Sequence, residues 1–153
     1  MFLIARGMLG FRQLCTSGSF VFDQKRILFV DDEPSIRLTL PPILEENGFA
    51  VTTAASVAEA ISRIQTHRFD VLLSDLNVGE DGDGFLVVGA MREAQPNCVV
   101  LILTGYPGFE SAIHALRHKV DDYLVKPADV DSMITLINAK IAERDRSVRN
   151  ASN

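Results

Sequence analysis

The sequence predicts an α/β domain: a five-stranded parallel sheet, doubly wound, with helices on both faces. Three observations predict it. The apolar runs Ile27-Leu28-Phe29-Val30, Val71-Leu72-Leu73 and Cys98-Val99-Val100-Leu101-Ile102-Leu103 are continuous rather than alternating, as in strands buried on both faces. Between the runs lie segments with the 3.6-residue period of amphipathic helices. Four runs stop abruptly on polar residues, at Asp31-Asp32, Asp75, Thr104 and Lys126. With 153 residues, 47% of them hydrophobic, the chain can form one domain with a proper core but not two. That domain is expected over residues 25–146, between an N-terminal extension (1–24) and a polar C-terminal tail (147–153).

In the extension, Met1-Phe2-Leu3-Ile4 and Gly7-Met8-Leu9-Gly10-Phe11 are apolar but are interrupted by Arg6 and Arg12. No run approaches the roughly 18 residues of a membrane span, nor the apolar stretch of a secretory signal. Disorder is expected there, with a faint likeness to an organelle presequence or an amphipathic docking arm.

From Lys25 the pattern is regular. Arg26–Val30 reads as the first strand. The helix after it carries Ile36, Leu40, Ile43 and Leu44 on one face and ends near Asn47-Gly48. Pro41-Pro42 falls inside this helix and predicts a kink or break, because an interior proline loses a hydrogen bond and clashes with the preceding turn. Residues 49–54 read as the second strand. Ser56 then caps a helix with the stripe Val57, Ala60, Ile61 and Ile64. Residues 69–75 form the third strand, and 79–84, with three glycines and three acids, a turn-rich mobile loop. A helix over 85–94 follows, closed by Pro96. Residues 98–103 are the fourth strand, and a thinly striped helix is expected over Phe109–His118. Asp122–Val125 is the fifth strand, and a last helix starts near Asp129 with Val130, Met133, Ile134, Ile137 and Ile141 on its inner face.

The formal net charge of −5 gives no basic footprint, so direct nucleic-acid binding is disfavoured. The two cysteines, Cys15 and Cys98, have no CxxC or CxxH neighbour; they read as a tail thiol and a small core residue in a reducing cytoplasm.

In parallel sheets of this kind a ligand site lies at the carboxyl ends of the strands, where Asp31, Asp32, Asp75, Thr104 and Lys126 all fall. Three carboxylates beside one lysine leave two negative charges uncompensated, which suits a hard divalent cation. Mg²⁺ takes one or two carboxylates plus waters and phosphate oxygens, so Asp32 and Asp75 read as direct ligands, with Asp31 direct or through water. Asp75 could then attack phosphorus, with Lys126, the Thr104 hydroxyl and backbone N–H groups holding the remaining oxygens.

The runs Ile27–Glu33, Leu72–Asn77, Leu103-Thr104-Gly105 and Asp122–Pro127 resemble the receiver domain of two-component response regulators, over about Lys25 to Arg146. The resemblance implies a flavodoxin-like strand order 2-1-3-4-5 and a phosphoryl group accepted on Asp75 from the phosphohistidine of a sensor histidine kinase or histidine phosphotransfer protein. It implies Mg²⁺ on Asp31, Asp32, Asp75 and the Asn77 backbone carbonyl, and phosphoryl binding by Thr104 and Lys126. A cis Lys126-Pro127 bond is implied too, as is a switch in which Tyr123 turns inward when Thr104 moves toward the phosphate; from the residues alone, Tyr123 could equally be plain core. Asn77 and Tyr106 stand where such domains tune phosphoryl lifetime, a bulky Tyr106 being expected to slow attack by water. The chain departs from the pattern in the 77–84 loop, which lacks a proline and looks about one residue longer, and at His118-Lys119-Val120 before the fifth strand.

Few polar residues remain after the last helix, so no output domain is expected. The signal would leave through a protein partner on the Phe109–His118 helix, the fifth strand and the last helix, and self-association into a homodimer is compatible with this. Only self-phosphorylation and autodephosphorylation chemistry is expected, not enzyme turnover on other substrates. The alternatives are a Mg²⁺ phosphatase resembling the haloacid dehalogenase superfamily and a receiver-like interaction module that is never phosphorylated. The first needs a second aspartate where Asn77 stands and a late acidic pair. A calcium loop from Asp75 fails at Glu80, a dinucleotide loop at Gly82 fails at Val87, and His114 with His118 lacks a third ligand.

Overall fold

A computed structural model of the chain describes residues 23–105 and 120–153. The strands are β1 (Arg26–Val30), β2 (Ala50–Ala54), β3 (Val71–Asp75), β4 (Val99–Thr104) and β5 (Asp122–Val125). The helices among the described residues are α1 (Pro34–Glu46), α2 (Val57–Thr66), α3 (Gly84–Ala94) and α4 (Val130–Ala151). All pairings are parallel and the strand order is 2-1-3-4-5. None of these helices is long and apolar enough to cross a membrane. The expected Phe109–His118 helix, Tyr106, Cys15, His114 and His118 lie outside the described residues, as does almost all of the extension.

Two cores sandwich the sheet, and the period-2 geometry of the strands divides the side chains between them. Leu28, Val30, Leu72, Val100 and Ile102 point to one face, where Ala60 and Ile64 of α2 and Val87, Val88 and Met91 of α3 cover them. Ile27, Phe29, Val71, Leu73, Val99, Leu101 and Leu103 point to the other, under Leu40 and Leu44 of α1 and Met133, Ile137 and Ile141 of α4. Cys98 is buried in the first core, as a small core residue should be.

Helix α1 corrects the expectation of a break: it runs continuously through Pro41 and Pro42. Two of its carbonyls lose their N–H partners there. One belongs to Leu38, which is 75% exposed, so water can replace that bond, while Pro41 packs into the core. At the other end, Pro34 occupies the first turn, where no N–H is needed. Helix α2 starts as predicted: the Ser56 side chain accepts from the Glu59 N–H at 3.1 Å, and Glu59 in turn accepts from the Ala55 N–H at 2.8 Å. Helix α4 is capped by Asp129, which accepts from the Ser132 N–H at 2.9 Å. It continues to Ala151, so most of the segment expected as a tail is helix.

The approach to β5 is clamped by a carboxylate the sequence reading passed over. Asp121 accepts from Arg92 at 2.9 Å, from Arg144 at 2.6 Å and from the Val100 N–H at 2.7 Å. It thereby ties α3 and α4 to the start of β4 and fixes where β5 enters the sheet.

Candidate functional site

The strand order places β1 and β3 side by side at the centre, and the chain reverses its direction of winding between them. Their carboxyl ends therefore open a crevice. Val30 is level with Ser74, so Asp31 and Asp75 emerge next to each other. On the other side Asp75 is level with Leu103, Thr104 with Val125, and the Lys126 N–H donates to the Thr104 carbonyl at 2.7 Å. Four strand ends thus converge without any long loop being needed.

Carboxylate oxygens of Asp31, Asp32 and Asp75 lie within 4.8 Å of one another. Asp31 is fully buried and accepts from the Glu33 N–H at 2.9 Å. Asp32 is exposed and accepts from the Gly79 N–H at 3.0 Å. Asp75, 8% exposed, accepts from the Asn77 N–H at 3.3 Å. Lys126 Nζ stands 3.4 Å from Asp31 and 3.4 Å from Asp75. Burial pushes the Asp75 carboxyl above its usual range against the pull of Lys126, and nearby Asp31 adds to the rise. Burial pulls Lys126 down, but the Asp75 and Asp31 carboxylates outweigh it and hold the ammonium above its ordinary value. The expected cis Lys126-Pro127 bond is present.

One lysine cannot neutralise three converging carboxylates, and all their free lone pairs are hard oxygen donors. This donor set fits Mg²⁺: Asp31, Asp32 and Asp75 would hold it, and it would neutralise charge on a transferring phosphoryl group.

The structure brings the other expected residues near the site to different degrees. Thr104 ends β4 fully buried. Asn77 spends its side-chain oxygen on the Gly82 N–H at 2.8 Å, which shapes the loop after β3. Tyr123 is 36% exposed, which corrects the plain-core reading. Gly105 borders the site, and a Cβ there would meet Lys126 only at 3.9 Å. The 79–84 loop, expected to be turn-rich and mobile, has positive φ at Gly79 and Gly82 and is tied to the fold by their N–H groups, which donate to Asp32 and Asn77, and by the Gly84 N–H donating to the Leu76 carbonyl at 2.7 Å.

A cavity of about 400 Å³ opens onto Asp75, lined by Asn77, Asp81, Gly105 and Lys126. Asp81 escaped the sequence reading, in which only the loop's acidity stood out. A larger cavity, about 560 Å³, lies at the opposite end of the sheet among Lys25, Arg26, Arg68, Asp70 and Arg149, away from these carboxylates.

The sequence profile of the response regulator receiver domain matches residues 27–138. The alginate biosynthesis transcriptional regulatory protein AlgB of Pseudomonas putida is 37% identical over 127 residues, 83% of this chain and 28% of that protein. The photosynthetic apparatus regulatory protein RegA of Cereibacter sphaeroides is 37% identical over 118 residues, 77% of this chain and 63% of its own length. The chain thus spans less than two-thirds of these relatives. Among solved structures, a CheY-like receiver domain protein from Methanospirillum hungatei superposes with a TM-score of 0.75 at 27% identity, covering 82% of this chain and 99% of that one. The response regulator TrrA of Thermotoga maritima in complex with Mg²⁺-BeF gives 0.67 at 30% identity, covering 76% and 98%.

Proposed function

Since this chain belongs to the response regulator receiver domain family, and so is a phosphorylation-dependent signalling switch, we propose that Asp75 is its phosphoacceptor and that a phosphohistidine is the donor. The observation that carries the assignment is the convergence of Asp31, Asp32 and Asp75 within 4.8 Å beside Lys126. The donor would be a sensor histidine kinase or a histidine phosphotransfer protein. An oxygen of the ionised Asp75 attacks phosphorus in line with the phosphorus–imidazole bond, and the electron pair of that bond leaves on the imidazole nitrogen. Lys126, already equidistant from Asp31 and Asp75, swings its ammonium onto a phosphoryl oxygen. Asp31, Asp32, Asp75 and the Asn77 carbonyl would hold Mg²⁺, which would supply charge neutralisation to the same group.

The readout follows from what borders the site. Thr104 is bonded to Lys126 through the backbone, and Tyr123 lies on β5 level with Ile102, two residues before Thr104. A Thr104 hydroxyl drawn toward the phosphoryl group vacates space that Tyr123, now exposed, can enter. A protein partner reads the change on β5, α4 and the segment 109–118. Asn77 and Tyr106 set the lifetime, Asn77 by holding the loop through Gly82.

Intact mass after incubation with a small phosphodonor and Mg²⁺ tests the assignment. An adduct of about 80 Da, one phosphoryl group, is expected and is lost in Asp75→Asn. An adduct that survives Asp75→Asn refutes Asp75 as acceptor, and no adduct at all favours a receiver-like interaction module.

A further inference from the structure

The departure of the 77–84 loop places a fourth carboxylate at the mouth of the site. Asp81 lines the cavity of about 400 Å³ with Asp75, Asn77, Gly105 and Lys126. It is exposed, whereas Asp75 is buried, so the two carboxylates mark the rim and the floor of one opening. Asp81 stands outside the trio that converges within 4.8 Å, and among the described residues it has no hydrogen bond or ion pair that would commit it elsewhere. Its position is nevertheless built. The Gly79 N–H is fastened to Asp32 at 3.0 Å on one side of it, the Gly82 N–H to Asn77 at 2.8 Å on the other, and Gly84 is locked against the end of β3 beyond.

We propose that Asp81 positions the water that hydrolyses phosphorylated Asp75, making it a lifetime-setting residue in addition to those the family resemblance supplies. This rests on Asp75 being the phosphoacceptor. Displacement at phosphorus is in line, so the water must enter opposite the Asp75–phosphorus bond, which is from the mouth that Asp81 borders. The water oxygen bonds to phosphorus while the bond to Asp75 breaks and its electron pair returns to the Asp75 carboxylate. Asp81 accepts a hydrogen bond from the water and takes one of its protons, and inorganic phosphate leaves. A carboxylate suits this task because, ionised, it is an acceptor only and orients the water's lone pair inward.

The test follows decay of the phosphorylated chain after the phosphodonor is removed, in the wild type, Asp81→Asn, Asp81→Glu and the loop control Glu80→Gln, which does not line the cavity. Expected are decay slowed about a hundredfold or more in Asp81→Asn, partial recovery in Asp81→Glu, no change in Glu80→Gln, and a solvent deuterium effect that is present in the wild type and lost in Asp81→Asn. Equal decay in Asp81→Asn and wild type overturns the inference and leaves the Asp75 assignment intact. Equal slowing in Glu80→Gln overturns it in favour of loop charge, and a parallel fall in Mg²⁺ affinity overturns it in favour of a metal role. A wild-type chain that takes up no phosphoryl group fails the underlying assignment instead.

Discussion

A Cβ added to Gly84 would stand 2.4 Å from the carbonyl oxygen of Asp75, closer than any real side chain is tolerated. Helix α3 therefore starts in direct backbone contact with the end of β3. Gly84→Ala must push the two apart, and overpacking against backbone costs about 1–3 kcal/mol. Gly89, five residues further along α3, has nothing within 4 Å of its would-be Cβ. There the alanine gains helix propensity of up to about 1 kcal/mol. Urea unfolding should show opposite signs for the two substitutions, and phosphoryl uptake should fall only in Gly84→Ala.

Mg²⁺ should stabilise the fold through the acidic trio. At a free concentration a hundred times Kd the linkage amounts to about 2.7 kcal/mol, a rise of several degrees in Tm. Asp32 is exposed and, among the described residues, its side chain accepts only from the Gly79 N–H at 3.0 Å, so Asp32→Asn should fold normally yet lose most of this rise. A thermal shift series in Mg²⁺ decides it. An unchanged shift in Asp32→Asn would remove that residue from the ligand set.

The sheet was legible because its signals are local. Val71-Leu72-Leu73 is apolar throughout only if both faces are covered, and the two cores cover both. The converging strand ends were legible for the same reason: Asp31, Thr104 and Lys126 are each the first polar residue after an apolar run, and Asp75 is the first charged one, directly after Ser74. What stayed hidden depends on contacts between distant segments. No pattern around Asp121 announces that Arg92 and Arg144 will converge on it, 29 and 23 residues away. Nor does Asp81, one acid among three in its loop, show which of them faces the cavity until Gly79 and Gly82 fix the turn. The continuous α1 is a different case, since the sequence shows the two prolines but not that Leu38 would be left exposed.

Asp121→Ala should destabilise the described fold. Its carboxylate satisfies two guanidiniums and the Val100 N–H, and its side chain is only 21% exposed. Removing one partner from such a network leaves charges uncompensated, which costs about 3–5 kcal/mol when fully buried. Partial solvent access lowers this to about 2–3 kcal/mol. Chemical denaturation measures it. A loss below about 1 kcal/mol would show that water replaces the clamp.

Cys98 gives the pH prediction. Burial pushes its thiol from the ordinary 9.0 up to about 12, chiefly because the thiolate would lose its hydration. Below pH 9 the thiol is protonated in both folded and unfolded chains and contributes no pH dependence. Between about pH 9 and 12 the unfolded chain releases the proton while the folded chain keeps it. The folded state then binds more protons, and stability falls as pH rises, by at most about 1.4 kcal/mol per unit from this group. Other groups titrate in the same range, so the measurement is the difference between the wild type and Cys98→Ala, which should lose stability less steeply above pH 9. The same burial predicts that in a Cys15→Ser background iodoacetamide at pH 8 leaves the folded chain unmodified and alkylates Cys98 only after urea is added. Rapid labelling of the folded chain would mean that the first core opens at β4 far more readily than its packing implies.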